Sequence, residues 1–204
     1  GLVPDVGGSL LLARAPGRLG EYLGITSTRM KPGDALHAGF ADYFIPREAW
    51  ATLIETLCET GDWEAVDRAA EPAPASDLAE ARPEIDALFA GETLRDVVNL
   101  LEPTEGDLAE KTLAALNQNS PISMACTLEL IHRVRSTDTI ETALEMEYRF
   151  TSRSMEKADF LEGIRAVIID KDNAPNWRHD GPRSVPPGEV SALLRPMGAD
   201  ALNI

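Results

Sequence analysis

The chain has 204 residues, 44% of them apolar, and a formal charge of −15. That apolar share suffices for a packed core and excludes wholesale disorder, while the acidic balance argues against a nucleic-acid partner, whose phosphates demand a basic face. No apolar run approaches the ~20 residues that span a bilayer, and no basic start followed by an apolar stretch reads as a signal peptide.

In chain order, GLVPDVGG forms a constrained turn, with Pro4 before Asp5 and a Gly-Gly pair after it. Residues 9–15 then read as a short helix stopped by Pro16 and Gly17. A second helix follows over about 16–26, with Leu19, Tyr22, Leu23 and Thr26 on one face. Residues 29–34 form a loop leading into a short helix that ends near Gly39. Phe40 to Ile45 alternates and carries aromatics, which predicts a strand. Pro46 opens a further helix, with Trp50, Leu53, Ile54 and Leu57 facing inward.

EPAPASD at 71–77 reads as a linker between short acidic helices. Helices are expected at 86–89, from the Thr93 cap to Leu101, and over 107–116. Ser120 and Pro121 make an N-cap and first-turn pair for a helix through about Arg133. A long helix over about 137–155 places Ile140, Leu144, Tyr148 and Met155 near one stripe, with Glu145 and Arg149 paired one turn apart. Asp159 then caps a helix to about Ile169, with Phe160, Ile164, Val167 and Ile168 as its inner face and Trp177 packed at its end. The rest is irregular until a short helix near 189–195.

The charge is unevenly spread. Residues 1–50 balance five basic against five acidic side chains, residues 51–120 carry four against sixteen, and residues 121–204 carry ten against thirteen. The middle third is therefore a solvated face that repels anions, and an anionic ligand is tolerated only towards either end. Cys58 and Cys126 lack paired spacing and read as buried free thiols in a reducing compartment, the cytoplasm. His37, His132 and His179 are too scattered to suggest a metal site, and no G-x-S-x-G elbow makes Ser9 or Ser123 a nucleophile.

Asp5 is the acid with the most constrained setting. Glycines after it permit backbone angles closed to other residues, and the following helix mouth offers N–H groups that favour negative charge, a carboxylate or a developing oxyanion. Asp5 is thus either a helix cap or an acid presented to a substrate.

Residues 1–45 resemble the second half of a crotonase-superfamily domain, with a glycine-rich turn leading into helices. NSPIS at 119–123 resembles the start of that family's C-terminal helices. MEYRFTSRSMEKADFLEGIRAVIIDKDNAPNW at 146–177 is similar to the 3-hydroxyisobutyryl-CoA hydrolase branch, and so is aspartate at position 5, where enoyl-CoA hydratases carry glycine. The resemblance implies an α/β crotonase fold whose strands come mainly from a segment before Gly1, so that the present chain is predominantly helical. It implies three divisions: residues 1–61 from the core, 62–118 as an acidic insertion or linker, and 119–204 as a helical region covering the acyl-CoA site.

The resemblance also implies thioester hydrolysis of 3-hydroxyisobutyryl-CoA or a similar short hydroxyacyl-CoA in valine breakdown, with Asp5 catalytic. Pro4, Asp5, Gly7 and Gly8 would contact substrate, as would Arg29 and Lys171. No metal and no cofactor are expected, coenzyme A being part of the substrate. The partners expected are acyl-CoA, the missing N-terminal segment with its second carboxylate and oxyanion glycines, and further copies of the protein, but neither nucleic acid nor membrane. Two alternatives stay open: enoyl-CoA hydration or isomerisation, and a non-catalytic assembly and substrate-covering fragment.

Overall fold

The computed structural model describes residues 1–202. They fall into two compact units, one of residues 1–28 together with those from Pro83 onward, the other of Arg29–Arg82.

The first unit is built around α9 (Pro121–Thr137), whose buried residues, among them Ile122, Cys126, Leu130, Met124, Ile131 and Val134, lie on nearly all its sides. A helix buried all round belongs at a centre. It packs against α1 (Gly8–Arg14), α2 (Leu19–Thr26), α7 (Leu94–Leu101), α10 (Ile140–Lys157) and α12 (Pro187–Leu193). One core cluster joins Val3, just before the Asp5 turn, to Ile122, Leu130, Phe150 and Leu193. Gly20 lets α1 and α2 close on each other, since a Cβ there would sit 1.9 Å from the Leu12 carbonyl oxygen. Two of the caps read from sequence are present. Thr93 and Asp96 form a reciprocal capping box on α7, and the Ser120 hydroxyl accepts the Ser123 N–H at the head of α9.

Buried charge in this unit is compensated. Glu21 has no exposed side-chain surface, and it accepts hydrogen bonds from Arg135 at 2.7 and 3.0 Å and from Arg18 at 2.8 Å, with His132 Nε2 at 3.2 Å. Burial alone would raise its carboxyl pKa; the hydrogen bonds from His132, Arg135 and Arg18 outweigh burial and hold it well below the usual carboxylate range.

In the second unit α3 (Pro32–His37) is followed by a 3-10 turn at Arg47–Ala49, then α4 (Trp50–Thr60) and α5 (Glu64–Ala69). The strand expected at 40–45 reduces to one isolated antiparallel bridge between Phe44 and Glu71. Alternation supplies a pattern but not a partner, and among the described residues no second run pairs along it. The inward face expected for α4 is also corrected, because α4 buries none of its residues and Trp50 and Ile54 are exposed. A unit this small cannot enclose both sides of a helix.

Two more corrections concern the first unit. The 86–89 helix is the end of a longer α6 (Asp77–Leu88) that continues through Pro83. The stripe expected on α10 is on the wrong side: Ile140, Tyr148 and Met155 are exposed, and the inner face is Ala143, Glu147, Phe150 and Ser154. Polar residues on that face hid it from a hydrophobic reading. Among the described residues no helix is long and apolar enough to cross a membrane.

Candidate active site

The chain enters the site through Val3, which is buried, and leaves it as α1. Between them lies a tight turn from Asp5 to Gly8, closed by the Gly8 N–H donating to the Asp5 carbonyl at 2.7 Å. Both central residues have positive φ, Val6 at 48° and Gly7 at 87°. That is the mirror-image turn class, which glycine adopts freely and a β-branched valine does not. Val6 is 89% exposed, so no packing of its side chain offsets the strain.

The turn is held from below by α10. Glu147, only 3% exposed, accepts the Gly7 N–H at 2.9 Å through one carboxylate oxygen. Its other oxygen accepts both the Ser9 N–H at 2.9 Å and the Ser9 hydroxyl. Gly7 fits because it has no side chain: a Cβ would lie 2.7 Å from the Ile140 methyl on α10. The anion expected at the helix mouth is therefore the protein's own carboxylate. The N–H groups of Gly7, Gly8 and Ser9 are all spent within the chain, so they are not donors for a substrate oxyanion. This corrects the sequence expectation, which had no means of seeing Glu147 arrive from 140 residues away.

Pro4, Asp5, Gly7 and Gly8 thus come together on one bend, with Gly7 buried, Pro4 and Gly8 half-buried and Asp5 exposed. Asp5 does not cap α1, whose N-cap position is Gly7. Its carboxylate leads the bend as a hydrogen-bond acceptor directed outward from a fixed backbone. Lys171, also exposed, stands at φ 56° two residues after Ile169. Arg29 is exposed and belongs to the unit of residues 29–82.

The C-terminal motif is arranged differently from its expected helix. After α11 (Phe160–Ile164) the chain widens into one π turn at Arg165–Ile169, with the Asp170 N–H bonded to the Arg165 carbonyl. Widening changes the facing of each side chain. Val167 and Ile168 are consequently 60% and 63% exposed, and Ala166 takes the buried position. Asp159 occupies the N-cap position without bonding α11; its carboxylate instead accepts the Ser120 hydroxyl at 2.7 Å and the Arg178 N–H at 3.1 Å.

Arg165 ties the following loop together through Glu162, Asp170 and Asp172 at 2.7–2.8 Å, and these bonds raise its pKa. Trp177 packs near Gly163 and donates its indole N–H to the Gln118 carbonyl at 2.9 Å. Phe160, Ile164, Val167 and Trp177, with Gly1 and Leu2, line an open cleft of about 920 Å³, and Asp5 is not among its lining residues.

A sequence model described as enoyl-CoA hydratase/isomerase matches residues 1–194. Among curated relatives, the mitochondrial 3-hydroxyisobutyryl-CoA hydrolase of Rattus norvegicus is 32% identical over 98% of this chain and 54% of that protein. The Homo sapiens protein of the same name is 31% identical over 99% and 55%. Among solved structures, an enoyl-CoA hydratase from Rhodobacter sphaeroides 2.4.1 superposes with a TM-score of 0.92 at 52% identity, covering 100% of this chain and 59% of that one. A carnitinyl-CoA dehydratase from Mycobacterium thermoresistibile gives 0.88 at 33% identity, covering 96% and 56%. The chain spans about half the length of the curated relatives it matches.

Proposed function

This chain belongs to the enoyl-CoA hydratase/isomerase family, with the α/β crotonase fold of its relatives and the helical portion of that fold in view, and we propose that it serves a protein hydrolysing 3-hydroxyisobutyryl-CoA or a similar short hydroxyacyl-CoA. The observation that carries the proposal is the fixed bend that bears Asp5, an exposed carboxylate beside amides that are all satisfied within the chain. The names of the curated relatives support the substrate class. The branch-specific aspartate at position 5 supports hydrolysis over hydration.

In this reading Asp5 orients water and accepts its proton as the water oxygen bonds to the thioester carbonyl carbon. The carbon–sulfur bond then breaks, and the proton passes to the departing coenzyme A sulfur. The amide donors that stabilise the intervening oxyanion come from outside residues 7–9, which have none to spare. Pro4, Gly7 and Gly8 shape the bend, while Lys171 is proposed to meet the coenzyme A phosphates. No cofactor beyond the substrate's own coenzyme A is invoked. Cys126 is buried as expected but Cys58 is exposed, on a helix that buries none of its residues; both are free and suit a reducing compartment, proposed as the cytoplasm although several relatives carry "mitochondrial" in their names. Valine breakdown is the proposed setting, and further copies of the protein are proposed as partners.

The two solved relatives are named for water addition and water removal, so the decisive assay offers both substrates. The full-length protein is expected to release free thiol from 3-hydroxyisobutyryl-CoA faster than it hydrates crotonyl-CoA. Hydration of crotonyl-CoA without thiol release contradicts the proposal.

A further inference from the structure

Glu147 presents a physical problem. A glutamate inside a helix face, 3% exposed, has left water without a cation to meet it; its partners among the described residues are two backbone N–H groups and one hydroxyl. A buried carboxylate costs stability unless its hydrogen bonds are well made, and an apolar side chain of similar volume often serves the core as well or better. The neighbours on its own face, Ala143 and Phe150, are the kind of residue the core would accept. What the carboxylate does that an apolar side chain cannot is fix two amides of the Asp5 bend from either side of Gly8.

The bend needs such a hold. Val6 lies at a φ of 48° that β-branched residues avoid, and its side chain makes no compensating burial. Left alone, the turn relaxes and Asp5 swings away from its direction. With the Gly7 and Ser9 N–H groups pulled onto the two oxygens of Glu147, the residues between them have no freedom to do so. Strain held in place by surrounding structure is characteristic of groups that must be aimed.

We propose that Glu147 is a positioning residue for Asp5: its carboxylate clamps the strained Asp5–Gly8 turn and so sets the direction of the acid, acting through the backbone without touching substrate. The proposal rests on the hydrolase reading for its kinetic readout, but the clamp itself is a statement about the protein without substrate.

The test uses the full-length protein, E147Q, and the double variant V6G/E147Q. Glutamine keeps the shape but sets an NH2 group against a donor. E147Q is expected to lose kcat for thiol release by about ten- to a hundred-fold, the scale of a misplaced catalytic group. Its KM should stay within about two-fold, since the lost interaction concerns the acid and not substrate binding. Glycine at position 6 adopts the turn without strain, so the double variant should regain part of the lost kcat. A merely structural role predicts a fall in Tm with kcat per folded molecule unchanged.

E147Q retaining wild-type kcat, or no recovery in V6G/E147Q, overturns the proposal. If the wild-type protein releases no thiol, the hydrolase reading fails and the clamp is judged by amide hydrogen exchange. Gly7 and Ser9 should be protected in the wild-type protein and released in E147Q. If E147Q does not fold, the wild-type exchange decides, and unprotected Gly7 and Ser9 amides overturn the clamp.

Discussion

Glu21 and Asp5 are both acids of the N-terminal thirty residues, and their settings are opposite. Asp5 is exposed at the tip of a bend. Glu21 is enclosed, with two arginines and a histidine as partners. Removing Glu21 takes from Arg135 and Arg18 the acceptor they share, leaving them partly solvated with the Ala13 carbonyl and Glu92 as remaining acceptors, so E21A should cost about 1–3 kcal/mol of stability, measured by denaturant unfolding. Its depressed pKa has a pH consequence. The folded value lies below the ordinary 4.5, so the stabilisation is present above pH 4.5 and is lost as pH falls from there towards the folded value. Wild-type Tm should therefore drop more steeply below pH 4.5 than that of E21Q, which carries no titrating group at this position; parallel Tm profiles contradict the assignment.

At the scale of elements, helix ends were legible and helix faces less so. Ser120–Pro121 and Thr93 act locally and cap where the sequence places them, whereas Asp159 is drawn away by Ser120 and Arg178 and leaves α11 uncapped. The inner face of α10 was illegible to a hydrophobic reading because it carries Glu147, whose partners come from the far N-terminal end of the chain. One signal was available: Ala143, Phe150 and Ser154 share a helical spacing with Glu147, and a glutamate on such a stripe needs buried donors. The same reasoning explains the lost strand, since Phe40–Ile45 has the alternation but no paired neighbour beyond the single bridge at Phe44. A sharper element-scale prediction concerns Gly20. A methyl group there meets the Leu12 carbonyl at 1.9 Å, so G20A should wedge α1 from α2 and cost about 1–3 kcal/mol, read as a lowered denaturation midpoint with unchanged slope.

Across the whole molecule the two units differ in how much they bury. In the first, α9 contributes ten buried residues. In the second, α4 contributes none. Local opening follows burial, so α4 amides should exchange with solvent through local fluctuations while α9 amides wait for global unfolding. Equal protection in the two helices would contradict that division. The family resemblance and the bend at Asp5 were readable from the sequence because both are local strings; the internal carboxylate that occupies the helix mouth was not, because it is a tertiary contact.

The central claim is that the carboxylate of Asp5 performs chemistry on a thioester. The most direct measurement is steady-state thiol release from 3-hydroxyisobutyryl-CoA by the full-length protein and by its Asp5→Asn variant, which keeps size and exposure but cannot take a proton. A fall in kcat of about 10²–10⁴-fold, with Tm unchanged, is the predicted result. Thiol release by the variant at the wild-type rate would contradict it.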